Sequence, residues 1–172
     1  MKEEMINTTL VPGNACFGCG HENPRGLHIE VFRDPENDNR LKGTFSPSSH
    51  MTGFPGITHG GALYTALDCI AAWAPMALRR HLKALWVLRS AEIRYLRPAK
   101  EAQPVTLSAT IIKESADGGP ADVRAKARNP EGKLLVRGTF KVVPMSLEQF
   151  KKAAGSDALP DNWRRFVEEG GG

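Results

Sequence analysis

The stretch from Gly60 to about Leu82 constrains this chain most. It is dense in alanine and leucine, and between Ala62 and Leu78 its only charged residue is Asp68. Such a segment reads as a helix, and a helix that is apolar nearly all round is buried rather than amphipathic. Pro75 removes one ladder hydrogen bond, which predicts a kink or a division near Ala74. A helix of this kind needs other elements to cover it on most sides.

The flanking sequence supplies them. After the helix come four strand-like segments, Trp86 to Leu96, Val105 to Lys113, Asp122 to Arg128 and Leu134 to Val143. The third alternates Val123, Ala125 and Ala127 with Arg124, Lys126 and Arg128, the period of a half-buried strand. Asp117-Gly118-Gly119-Pro120 and Asn129-Pro130-Glu131-Gly132 are short turn sequences that make neighbours antiparallel. Before the helix, Leu27, Ile29 and Val31 and then Leu41, Gly43 and Phe45 alternate with polar residues on either side of Asp34-Pro35-Glu36-Asn37-Asp38-Asn39, which predicts a hairpin. Ser46 to Thr58, rich in Pro, Gly, Ser and His, is expected to be a long loop without regular structure. The order predicts an α+β fold, an antiparallel sheet around one long central helix over residues 27–145. Residues 1–26 form an N-terminal extension with a Cys-x-x-Cys turn. Residues 146–172 form a C-terminal helical tail, started by Ser146-Leu147-Glu148-Gln149 and loosely packed from Ala158 onward.

Composition narrows the function classes. With 172 residues and 41% hydrophobic content, one domain can remove about 70% of its unfolded surface from water without staples. The 23 basic and 19 acidic residues are spread along the chain, giving a net charge of +4. Basic and aromatic residues do not interleave, so a nucleic-acid partner is not expected, although a mild positive field favours anionic ligands. Met1 to Ile6 lacks the apolar stretch of a signal peptide, and no uncharged run approaches a membrane span of roughly 18 residues. The expectation is a cytoplasmic protein with no membrane partner. The odd count of three cysteines argues against a disulfide framework, and Cys69, inside the apolar run, reads as a small buried hydrophobe.

The chemistry concentrates at the helix. A start at Gly60-Gly61 offers unpaired backbone N–H groups and the positive end of the dipole, an oxyanion site or simply a tight turn. Asp68, a lone carboxylate among apolar residues, is either a working group or the centre of a buried polar network. Seven residues separate Gly61 from Asp68, so both lie on one face about 10 Å apart along the axis. One carbonyl cannot touch both, and two subunits with antiparallel central helices would bring one chain's aspartate to the other's glycine turn.

Cys16-Phe17-Gly18-Cys19-Gly20, Asn23-Pro24, Gly26-Leu27, Gly53-Phe54-Pro55-Gly56-Ile57-Thr58-His59-Gly60-Gly61, Asp68 and Tyr95-Leu96-Arg97-Pro98 occur in that order. Together they resemble the phenylacetate-degradation type of hotdog-fold thioesterase, from about Cys16 to Val143. The resemblance implies a hotdog homodimer or dimer of dimers that hydrolyses acyl-coenzyme A, with coenzyme A as part of the substrate and no metal or bound cofactor. It implies Asp68 as general base or nucleophile, a backbone N–H of Gly60-Gly61 on the thioester carbonyl, and His59 holding loop and substrate. Two positions depart from the pattern: Gly53, where some relatives carry asparagine, and Leu88, where they carry a hydroxyl. Ser90, two residues along the same strand face, and Thr65, one turn before Asp68, are the substitutes considered for orienting water.

Around the same strand Arg89, Arg94, Arg97 and Lys100 are candidate contacts for coenzyme A phosphates, with Arg97 preferred because it lies where the strand ends. Cys16 and Cys19 have zinc-knuckle spacing with His21 and His28 nearby, but no second cysteine pair follows, so the favoured reading is a tight turn without metal. His50 reads as a surface loop histidine, and Trp73 and Trp86 as core or interface. Two other readings stay open: a binding protein for acyl thioesters without catalysis, and an enoyl-thioester hydratase, whose sites usually place a histidine five residues after the aspartate, where this chain has Trp73.

Overall fold

The computed structural model describes residues 3–155 and 159–170. Along the chain lie α1 (Ile6–Thr9), β1 (Glu30–Arg33), β2 (Arg40–Phe45), β3 (Thr52–Phe54), β4 (Ile57–Thr58), α2 (Gly60–Leu78), β5 (Leu85–Tyr95), β6 (Val105–Glu114), β7 (Ala121–Arg128), β8 (Leu134–Met145), α3 (Leu147–Ala154) and α4 (Asp161–Glu168). Six strands make one antiparallel sheet in the order β1-β2-β6-β7-β8-β5, and α2 packs across its inner face. The fold is therefore the wrapped-helix α+β arrangement the sequence predicts. Long and apolar as a membrane span would be, α2 has more than half of its residues buried under the sheet.

Alternation decides which side of each strand meets the helix. On β7, Val123, Ala125 and Ala127 are fully buried while Arg124 and Arg128 face outward and Lys126 is half-buried. Leu63, Leu67 and Ile70 of α2 meet this inner face, each such buried side chain contributing about 1.5–3 kcal/mol.

Four local expectations change. The alternation of Leu27, Ile29 and Val31 gives burial as expected, but strand pairing begins only at Glu30, because His28 adopts a left-handed backbone (φ 52°) that cannot continue a ladder. The loop before the helix is not wholly irregular: a 3-10 turn at Ser49–Met51 leads into a two-stranded ribbon of β3 and β4. Pro75 does not divide α2, which runs on to Leu78 and is followed by a separate 3-10 turn at Arg80–Leu82, closed by Lys83 in the left-handed region. Pro75 lies only three residues from the helix end, so a single ladder bond is lost where the helix is about to stop.

The fourth change concerns the tail. Ser146 caps α3 with a reciprocal bond pair to Gln149, as the sequence predicts. Beyond it, α4 is firmly docked rather than loose: Phe166 and Val167 are 3% and 4% exposed, and Trp163 lies over Trp73 with ring centroids 6.0 Å apart. Ala158, where the loose segment was expected to begin, and Gly171 and Gly172 at its end lie outside the described residues.

Candidate active site

The ribbon of β3 and β4 sets the start of α2. Thr58 N–H donates to Ala99 O (2.9 Å), His59 N–H to Met51 O (2.7 Å), and an isolated bridge ties Ile57 to Lys100. His59 is the N-cap of the helix: its Nδ1 accepts the Gly61 N–H at 2.9 Å. The two glycines are thus not equivalent. The Gly61 N–H is taken by the cap, whereas the Gly60 N–H has no acceptor among the described residues and lies at the positive end of a 19-residue helix. Tyr95, at the end of β5, donates its hydroxyl to Gly60 O (3.1 Å) and packs its ring on Gly60.

Gly53 is explained by the same packing. A β-carbon there would lie 3.0 Å from the Cα of His59, so an asparagine would require the ribbon to give by a few tenths of an ångström.

Two turns along α2, Asp68 is half-buried and makes no hydrogen bond or ion pair among the described residues. Burial, and then negative charge at Cys16, raise its pKa above the ordinary carboxylate value. It borders a cleft of about 640 Å³ whose walls are chiefly apolar: Trp73 and Met76 from α2, Trp86 and Leu88 from β5, Phe150 from α3 and Trp163 from α4. Neither Gly60 nor Gly61 borders this cleft. Leu88 therefore shapes the apolar wall beside Asp68. Thr65 donates its hydroxyl to Gly61 O (3.0 Å), back-bonding within the helix.

Ser90 is not on the same strand face as Leu88. Leu88 pairs with Val142 and Ser90 with Lys141, so Arg89 is an extra residue in a β-bulge, and the alternation inverts across it. Directly opposed residues share a face, which places Leu88 with buried Val142 inside and Ser90 with exposed Lys141 outside. Arg94 also faces outward, opposite Arg137 and within 3.3 Å of Glu92, in a separate outer groove with Arg124 and Lys126. Arg97 is exposed beyond the strand and donates to Leu134 O (2.8 Å). Arg89 and Lys100 are exposed as well. His50 is exposed near Ser48, and Trp73 and Trp86 are core residues at 1% and 5% exposure.

Sequence reasoning missed three features. Tyr95 positions Gly60, α4 forms a cleft wall, and Cys69 is not simply a core filler: its sulfur lies within 4.8 Å of those of Cys16 and Cys19. Only the Cys16-Cys19 spacing signalled the last of these.

Residues 55–132 match the family described as the Thioesterase superfamily. The fold is the hotdog fold. The hotdog architecture recurs in the E. coli PaaI protein from the phenylacetic acid degradation operon, at 18% identity, TM-score 0.61, and coverage of 70% of this chain and 81% of that one. It recurs in a hypothetical thioesterase from Streptococcus pneumoniae TIGR4 solved with coenzyme A, at 19% identity, TM-score 0.59, and coverage of 69% and 86%. Zebra fish thioesterase superfamily member 2 shares it at 21% identity, TM-score 0.61, and coverage of 81% and 92%. No curated protein matches the sequence significantly.

Proposed function

We propose that this hotdog protein hydrolyses an acyl- or aryl-coenzyme A thioester at a site shared between two subunits, in the manner of the phenylacetate-degradation type. The observation that carries the reading is the placement of Asp68: an unpartnered carboxylate on the wall of an apolar cleft that the glycine turn of its own chain does not border. The cleft takes the acyl or aryl group. Asp68 removes a proton from water as it attacks the thioester carbon, or attacks that carbon itself and is released by water. The Gly60 N–H of the second subunit receives the charge that develops on the carbonyl oxygen, and His59 keeps the neighbouring N–H occupied so that the turn stays fixed. The carbon–sulfur bond breaks, giving a carboxylic acid and the coenzyme A thiol.

Two further observations favour a second subunit. Phe54, Tyr95 and Leu96 are 74%, 54% and 45% exposed near the start of α2, apolar surface that a partner would cover. β5 is an edge strand of 11 residues, open on the side away from β8. The hydratase reading loses ground, because Trp73, at the histidine position, is fully buried against Phe166.

The test is thiol release from aryl, short and long acyl-coenzyme A esters, with Asp68→Asn beside the unaltered protein. Turnover of at least one ester is expected, with kcat lowered about 10²–10⁴-fold in the variant. Full activity in the variant, or calorimetric binding without any turnover, would refute hydrolysis at Asp68, the second outcome favouring a binding protein.

A further inference from the structure

We propose that Cys16, Cys19 and Cys69 form a zinc(II) site of three thiolates, with the fourth coordination position on the side of the cleft. The three sulfurs all lie within 4.8 Å of one another, and a tetrahedral zinc with Zn–S bonds of about 2.3 Å separates its sulfurs by about 3.8 Å. Small side-chain adjustments close that difference.

The chain is built to bring these sulfurs together. Cys16 and Cys19 sit in a tight turn closed by Gly20 N–H donating to Cys16 O at 2.9 Å. A β-carbon at Gly20 would lie 2.3 Å from Cys16 N, and one at Gly18 would lie 2.2 Å from Cys69 Sγ. Glycine at 18 is therefore what lets the turn close over the cysteine of α2. Buried Asn7 fixes the turn from behind, donating to Cys19 O (2.7 Å) and Ile29 O (2.9 Å) and accepting from Val31 N–H (3.0 Å). Asn14 Oδ1 accepts the Cys16 N–H at 3.0 Å.

The surroundings suit thiolates rather than thiols. Trp73 Nε1 donates to Cys19 Sγ at 3.1 Å and Asn14 Nδ2 lies 3.6 Å from the same sulfur, two N–H donors aimed at an atom that accepts weakly when protonated and well when ionised. Zinc binding displaces the thiol protons and needs no oxidant. The two histidines near the turn are not among the clustered ligands: they stack on each other at 5.5 Å, and His28 Nε2 lies 2.6 Å from Asn23 O. Such an ion would fasten the N-terminal segment to α2 one residue from Asp68.

The test uses full-length, reduced, metal-stripped protein titrated with cobalt(II) and then zinc(II) under anaerobic conditions. Expected are one cobalt per chain with thiolate-to-cobalt charge-transfer absorption, displacement by zinc, and a higher melting temperature with zinc than with chelator. The absorption should be lost in Cys16→Ser and Cys69→Ser and kept in His28→Asn, a residue type that tolerates the left-handed backbone. Circular dichroism checks folding; should Cys69→Ser unfold, Cys16→Ser, on the more open side of the cluster, carries the comparison. Absence of charge-transfer absorption in the unaltered protein, its survival in a folded cysteine variant, or its loss in His28→Asn would overturn the site. None of these readouts depends on thioester turnover.

Discussion

Two carboxylates, Asp34 and Asp68, are withdrawn from water here, and their surroundings push them in opposite directions. Burial alone would raise the pKa of Asp34, but Arg40, the Glu36 N–H and Lys42 outweigh it and hold the group at about 2. Asp68 has burial without such partners, so its pKa rises. A partnered carboxylate is structural, and an unpartnered one on a cleft wall is available for chemistry. Asp34 has a pKa lower in the folded than in the unfolded chain, where the ordinary value is 3.8. Its contribution is therefore complete above that value and is lost as pH falls toward 2. Urea midpoints measured across that window should decline with acidity, and Asp34→Asn should flatten the decline while lowering stability at neutral pH. The isolation of Asp68 was legible in the sequence because it rests on the residue's own helix. The partners of Asp34 were not, since Arg40 and Lys42 reach it only across the β1–β2 hairpin.

At the scale of elements, α4 and the bulge in β5 matter most for the site. Phe166 anchors α4: it meets Trp73 edge-on at 5.8 Å and Trp163 at 5.9 Å, and the Arg80 guanidinium stands 4.0 Å over its ring. Phe166→Ala should cost about 3–5 kcal/mol, read as a lowered urea midpoint, and should open the cleft wall that Trp163 provides. Most helices and strands were legible because burial on one face leaves a period of 2 in a strand and a nearly unbroken apolar run in the central helix. The docking of α4 was not, because its aromatic partner is some ninety positions away and its own sequence is largely polar. Nor was the bulge at Arg89, which reverses the faces of Leu88 and Ser90 without any glycine to mark it.

For the whole molecule the question is how Gly60 and Asp68 serve one carbonyl. Gly60→Pro removes the one N–H the cap leaves free, yet proline is tolerated as the first helical residue, and His59 before it already has extended backbone (φ −60°, ψ 134°). Its β-carbon would lie 3.2 Å from the Tyr95 ring, a contact that a small ring shift relieves. Gly60→Pro and Asp68→Asn should each be inactive alone. Unfolded and refolded together, they should recover about a quarter of the unaltered activity, since half the dimers are mixed and each carries one intact site of two. No recovery would place both groups in a single chain. The sequence by itself determined the buried helix, the sheet that must cover it, and the lone aspartate, because each follows from polarity and period along the chain. Tertiary structure alone decided that His59 takes the Gly61 N–H and leaves that of Gly60, that Leu88 faces the cleft and Ser90 the outside, and that Cys69 joins Cys16 and Cys19. These depend on strand register and on approaches between residues far apart in the chain, which no local pattern encodes.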